Sequence, residues 1–376
     1  MPRAASMPVT DLIVIGASAR AACFSAQRAG MVPYWIDLFG DYDLCREFEG
    51  QLVDARDYPQ AIIDKIDTAP EAPFIYTGAM ENHADVLEQI EACRPLLGNP
   101  AQTCRQVRDP QKLAACFNSR GIASPKVSCV AEDGNAWLKK PLASAGGRSI
   151  EVFSRGQELG EQFYLQELIE GETRAAIFLG NGHESRLLGV TRQLVGETFL
   201  NAEPFAYCGS IGPLTINEGE AGQWRAVGNA LCSDFGLKGL FCVDAMVRDQ
   251  VIYPLEVNPR YSASLEVLEI AMDTSLLDLH CQACEGSLAK AVPGVSTLAA
   301  KAYLFAGQDL RCPKDISEIF PFDVHGQKTA DILQPGSVIQ SGLPLMSLLA
   351  RVDSEAAALT VLVDMAEKLY RQFTVL

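Results

Sequence analysis

The chain has 376 residues, 48% of them hydrophobic, and a formal charge of −16. That length allows two or three hydrophobic cores, and the acidic balance excludes a protein that coats nucleic acid or docks on an anionic membrane through basic patches. No apolar run reaches the roughly 18–20 residues needed to cross a bilayer.

The N-terminal stretch lacks a secretory pattern, and the 12 cysteines are scattered through the chain. A soluble, cytoplasmic enzyme is therefore expected, with small-molecule partners and room for a homo-oligomer.

In chain order, LIVIGA, PYWIDLF, PFIYTGA and PLLG in the first hundred residues read as short buried strands. Helical stretches separate them at 58–69 and 82–94, the second with Asn82 as a possible cap. This alternation predicts a parallel sheet covered on both faces. A new pattern starts near Asp109, a possible cap for a helix that stops at Gly121. Residues 126–200 are mostly strands, and a helix over 218–235 ends at Gly236. Two strands, GLFCVDAMV and VIYPLEVN, follow, joined by Arg248-Asp249-Gln250. Two helical stretches run to about 288, and strand-like segments precede a helix at 354–373.

The first turn, G-A-S-A-R-A from Gly16, has only the first glycine of the dinucleotide fingerprint. Ser18 stands where backbone would approach a pyrophosphate, although Asp37 lies where a ribose-binding acid would be. A structural turn is the better reading. Cys281 and Cys284, beside His280, form one tight pair with no second pair to complete four zinc ligands. They read as packing residues.

Glu256 and Asn258 alternate along one strand and so share a face. A turn near 249 would set Asp244 opposite them. Two carboxylates and an amide oxygen suit Mg²⁺ carrying phosphates. The apolar flanks argue against a freely solvated face, and a buried carboxylate needs a partner or a metal. A hundred residues earlier, Lys140 precedes a small glycine-containing loop, Ser144–Ser149, whose N–H groups could approach phosphate. YLQELIEGETR comes next, a strand ending in an acidic turn.

The ordered set of Lys140-Pro141 with SAGGRS, QELIEGE, Asp244 and LEVNPR resembles the ATP-grasp superfamily. The resemblance implies an α/β architecture: a Rossmann-like domain over 1–105, a two-lobed ATP-grasp fold over 106–290 and a small C-terminal α+β lid over 291–376. It implies that Lys140 contacts the phosphates of ATP and that the loop carrying Ser144, Gly146 and Gly147 closes over them. Gln166, Glu167 and Leu168 would form the hinge reading adenine, and Glu172 would hold the ribose. Asp244, Glu256 and Asn258 would bind Mg²⁺ (or Mn²⁺), with Arg260 neutralising the transferred phosphoryl group. Pro110 stands where the family often has a phosphate-binding lysine, leaving Arg108 or Lys112 to serve.

The implied reaction is ligation of a carboxylate to an amine through an acyl phosphate, catalysed mainly by positioning and charge neutralisation. Arg174, Arg192, Tyr207, Ser18 and Arg20 are candidates for the substrate pocket, Arg174 as a catalytic grip on a carboxylate. The N-terminal turn with DLFGDYDL resembles a branch associated with tetrahydromethanopterin- or methanofuran-type cofactor biosynthesis. QPGSVIQSG in the tail resembles a biotinyl-type turn, but no lysine follows to carry biotin. A carboxylase-like enzyme activating bicarbonate, or a nucleotide-binding protein without ligase activity, are the alternatives.

Overall fold

The computed structural model describes residues 9–317, 319, 323–324 and 327–376. Four parallel strands open the chain: β1 (Asp11–Gly16), β2 (Val32–Asp37), β3 (Gly50–Leu52) and β4 (Phe74–Tyr76), in the order β3-β2-β1-β4. Leu12 to Ile15 are all buried, as expected of a strand covered on both faces. Ile13 and Ile15 pack with Ile62, Ile66, Leu87 and Ile90 from the flanking helices. Leu12 and Val14 join a second core that includes Ala175, Ile177 and Leu265 from farther along the chain. The apolar run at 95–98 contributes only a single bridge, Phe74 to Leu96.

Asp109 caps the helix Pro110–Ser119 by accepting from the N–H groups of Gln111 and Lys112, and Gly121 stops it with φ +67°. Asn82, expected as a cap, caps nothing. His83 occupies the N-cap of Ala84–Glu91, and the Asn82 amide is engaged elsewhere.

A small antiparallel sheet follows, formed by β5 (Val127–Ser128), β6 (Trp137–Pro141), β7 (Glu151–Val152) and β8 (Phe163–Glu167), in the order β5-β8-β6-β7. The large antiparallel sheet starts with β9 (Glu172–Asn181), β10 (Ser185–Val195), β11 (Tyr207–Gly212), β12 (Lys238–Arg248) and β13 (Val251–Asn258). Alternation along β9 serves two cores. Ala176 and Phe178 face the helix Glu218–Phe235, and Ala175 and Ile177 face helices Ala263–Met272 and Leu277–Cys284.

The sheet does not end at β11. β11 pairs with β14 (Leu298–Phe305), which pairs with Pro344–Val352, followed by Gln327–Ala330 and Asp323–Val324. The helix Glu355–Tyr370, capped by the Ser354 hydroxyl, covers this end. Its Leu362, Met365 and Leu369 share a core with Leu194 and Ile211 of β10 and β11. Among the described residues, no helix is long and apolar enough to cross a membrane.

Candidate active site

The β12–β13 hairpin turns at Asp249 and Gln250, both left-handed with φ of +51° and +64°. Such a turn matches the strand twist and sets Arg248 opposite Val251; a bulge between Asp244 and Ala245 then shifts the register by one, bringing Asp244 opposite Glu256 and Cys242 opposite Asn258. Asp244 Oδ2 accepts from the Asn258 amide at 2.9 Å, and its Oδ1 accepts from the Gln193 amide of β10 at 2.9 Å. Burial, and then the charge of Glu256, push Asp244 up to about 7. Burial opposes charge on Glu256 too, but Lys140, Arg108 and Arg260 hold it below the usual carboxylate range.

Three cations converge on these acids. Lys140 Nζ lies 4.0 Å from Glu256 and 3.1 Å from the Gln166 side-chain oxygen. Arg108 Nη1 lies 3.7 Å from Glu256. Arg260 Nη2 donates to Asn258 Oδ1 at 3.0 Å. Lys112 points elsewhere, half-exposed and 3.9 Å from Asp109. Of the two basic residues left open by Pro110, the fold brings Arg108 to the acids.

The glycine loop is fastened from two sides. Ser144 O accepts from Asn82 Nδ2 at 3.0 Å and from Arg108 Nη2 at 3.2 Å. Gly146 O accepts from the Tyr207 N–H at 3.0 Å. Gly147 has φ +77°, and a Cβ there would lie 2.0 Å from the Phe205 carbonyl oxygen, so no side chain fits.

Gln166 enters the site by its buried side chain, which also donates to Leu255 O of β13 at 3.2 Å. The N–H groups of Glu167 and Leu168 donate to Lys126 O and Ala136 O, both at 2.9 Å. Both hydrogen bonds anchor the strand end.

Arg174 and Glu172 are not brought to the acids. Arg174 is in register with Ala245 and Arg192, whereas Ala175 is in register with Asp244, so the arginine faces the opposite side of the sheet. It pairs with the largely exposed Glu172 in a cleft of about 490 Å³ lined by Asn217, Gln223 and Arg248. The sequence cannot reveal this, because strand parity across three paired strands depends on their register. Arg192 approaches Glu355 at 3.9 Å on the same side.

Arg20 does not line a pocket either. Its guanidinium is 2.6 Å from Glu266, 2.9 Å from Asp331 and 3.8 Å from Asp43. Lys301 completes this buried network, 2.6 Å from Glu266 and 3.3 Å from Asp331. Tyr207 hydrogen-bonds Ser210 at 2.9 Å, and Ser210 reaches Ser264 at 2.9 Å.

Two site residues escaped the sequence reading. Gln193 orients Asp244 from a neighbouring strand, a contact set only by register. Glu81 follows β4 in the turn Met80–Asn82 and receives Arg260 Nε at 3.1 Å and Nη2 at 2.7 Å on one oxygen. An acid just past the carboxyl end of an apolar parallel strand was the available signal.

The Gly16 turn is filled from within. Asp37 Oδ2 accepts from the Ala19 N–H at 2.5 Å, at the start of the helix Arg20–Arg28, and Oδ1 from Gly40 N–H at 2.6 Å. A carboxylate of the protein thus occupies the helix start where a dinucleotide would place its pyrophosphate.

His280 accepts from the Leu240 N–H at Nδ1 (2.8 Å) and meets Leu97 O at Nε2 (3.0 Å). Both nitrogens are engaged, and burial lowers its pKa. Among the described residues, no group of three or more His, Cys, Asp or Glu side chains is arranged to hold a metal. Cys281→Ser with Cys284→Ser should leave ATP turnover within severalfold of the wild type. Metal analysis should find no stoichiometric zinc in the parent; zinc lost in the double variant would overturn the packing role.

Asp244, Glu256 and Asn258 supply three hard oxygens, fewer than the six or so that Mg²⁺ takes, so nucleotide phosphates and water would have to supply the rest. The donor set fits a magnesium–nucleotide complex, and the cations around it suit phosphate.

Residues 107–264 match the model of the ATP-grasp domain. An uncharacterized protein of Methanocaldococcus jannaschii is 20% identical, the alignment covering 94% of this chain and 92% of that one. The carbamoyl phosphate synthase large chain of Neisseria meningitidis is 22% identical over 51% of this chain, which spans only 20% of that relative. In fold, the chain is similar to biotin carboxylase of Campylobacter jejuni, solved with an ATP analogue. The TM-score is 0.75 at 13% identity, over 94% of this chain and 90% of that one. Residues 107–264 thus carry a match to the ATP-grasp domain, within a fold similar to that of biotin carboxylase.

Proposed function

We propose that the protein is an ATP-dependent carboxylate–amine ligase working through an acyl phosphate. The observation that carries this reading is the convergence of Lys140, Arg108 and Arg260 on the pair Asp244 and Glu256. In the first step a substrate carboxylate oxygen bonds to the γ-phosphorus of ATP, the bond to the β,γ-bridging oxygen breaks, and ADP leaves. In the second an amine nitrogen bonds to the acyl carbon, phosphate departs with the electron pair, and the amine loses one proton. Mg²⁺ (or Mn²⁺) held by Asp244, Glu256 and Asn258 would neutralise phosphate charge. Lys140 and Arg108 offset the remaining charge from the loop side, and Arg260 does so from the acceptor side. Closure of Ser144–Ser149 excludes water that would hydrolyse the acyl phosphate.

An amino acid, glutamate first, is the proposed amine, with a precursor of a one-carbon cofactor as the acid. Hydroxylamine tests the electrophile: with Mg·ATP and the acid it should yield a hydroxamate and ADP. ADP release that depends on bicarbonate and needs no amine would instead establish the carboxylase reading, which the likeness in fold to biotin carboxylase favours.

A further inference from the structure

Glu81 is an unusual acid. Its side chain is 1% exposed, and both N–H groups that Arg260 offers it go to Oε1. Its second oxygen, Oε2, is buried without a partner, and so is the hydroxyl of Tyr58. A buried polar atom left unmatched costs about 1–3 kcal/mol, so it calls for an explanation.

The location supplies one. In the sheet order β3-β2-β1-β4, the chain leaves β1 toward one side and reaches β4 on the other. Ligands of open parallel sheets bind at the carboxyl ends of the strands where such connections diverge. Glu81 stands there, five residues past the end of β4. Arg260 reaches the same place, since a Cβ added at Gly78 would lie 3.8 Å from its Nη2. Tyr58 borders the same turn: its ring meets His83, two residues past Glu81, edge-on at 6.0 Å. One guanidinium then connects Glu81 to Asn258 and, through it, to Asp244. A group bound at Glu81 Oε2 would lie next to the reacting centre.

We propose that Glu81 Oε2 and the Tyr58 hydroxyl are the acceptor site, and that they hold the attacking primary amine of the second substrate. The assignment rests on the ligase reading above. A carboxylate oxygen only accepts, so its partner must bring an N–H or O–H; the phenol oxygen can accept a second N–H from the same nitrogen. Arg260 already offsets the charge of Glu81, so the site makes no demand for a full cation. It suits the neutral amine, the form with a free lone pair. When the C–N bond forms and the C–O bond to phosphate breaks, the surplus amine proton leaves with the phosphate.

Calorimetric titration tests this, using hydroxylamine, methylamine, glycine and L-glutamate as probes on protein loaded with magnesium and a non-hydrolysable ATP analogue. At least one amine should bind the wild type. Glu81→Gln should weaken it about tenfold or more, the loss of a hydrogen bond to a charged group, and Tyr58→Phe severalfold, the latter with nucleotide affinity within about twofold of wild type. Tyr58→Phe removes a hydroxyl that makes no hydrogen bond in the folded chain, so its folding is unharmed even if Glu81→Gln fails to fold. The assignment falls if the nucleotide binds but no amine does, or if both variants bind the amine as tightly as wild type. A wild type that fails to bind the nucleotide overturns the ligase reading together with it.

Discussion

Glu256→Gln should lower ATP turnover by about a hundredfold or more, with the fold retained. The substitution keeps the size of the side chain and removes one of the two carboxylates that face each other across the hairpin. Lys140 and Arg108 then lose the charge that they face at 4.0 and 3.7 Å. Packing should hardly change, because a third of the Glu256 side chain is exposed and its apolar neighbours stay in place. Asp244, freed from the repulsion that helps push it up to about 7, should titrate lower in the variant. ADP release at saturating Mg·ATP, measured beside a thermal melt, checks the expectation. Turnover near the wild-type rate in a folded variant would mean that these acids do not hold the metal.

Lys301→Met should cost about 3–5 kcal/mol of stability, read as a fall in the urea midpoint. Lys301 is 2% exposed and pairs with Glu266 and Asp331, and the same two acids receive Arg20. Removing one cation leaves three carboxylates, Asp43 included, against a single guanidinium in a buried space. Pairing the change with Glu266→Gln should restore part of the loss, because contacting charges are not additive. The elements joined are the helix Arg20–Arg28, the helix Ala263–Met272 and β14, so the loss should be global. A midpoint shift worth less than about 1 kcal/mol would show that the network contributes little beyond packing.

Much of this was legible in the sequence because it is local. The period-two alternation of Glu256 and Asn258, the Asp109 cap, the Gly236 stop and the turn at 249 each depend on a few neighbouring residues, and the folded chain keeps them. The partners across the sheet were not legible. Arg174 lies only two residues from the acidic turn, yet β9 pairs with β12 so that Ala175, not Arg174, stands opposite Asp244. Arg20 read as a ligand-gripping residue beside a glycine turn, and distant Glu266 and Asp331 turn it into a structural ion. Gln193 carries no motif at all, and Glu81 only its place just past an apolar strand. Their roles exist only once the N-terminal sheet and β10 are brought against the hairpin.

The Ser144 carbonyl gives the glycine loop a second meaning. Asn82, next to Glu81 past β4, and Arg108, which faces Glu256, both donate to that one oxygen. Any event that draws the loop down also favours the arrangement of the Met80–Asn82 turn, and the dependence holds in reverse. On the proposed ligase reading, occupancy at either end of the site would be felt at the other, and the two substrates should bind with positive cooperativity. A ligase built this way would waste little ATP in the absence of an acceptor, with a single backbone oxygen serving as the checkpoint.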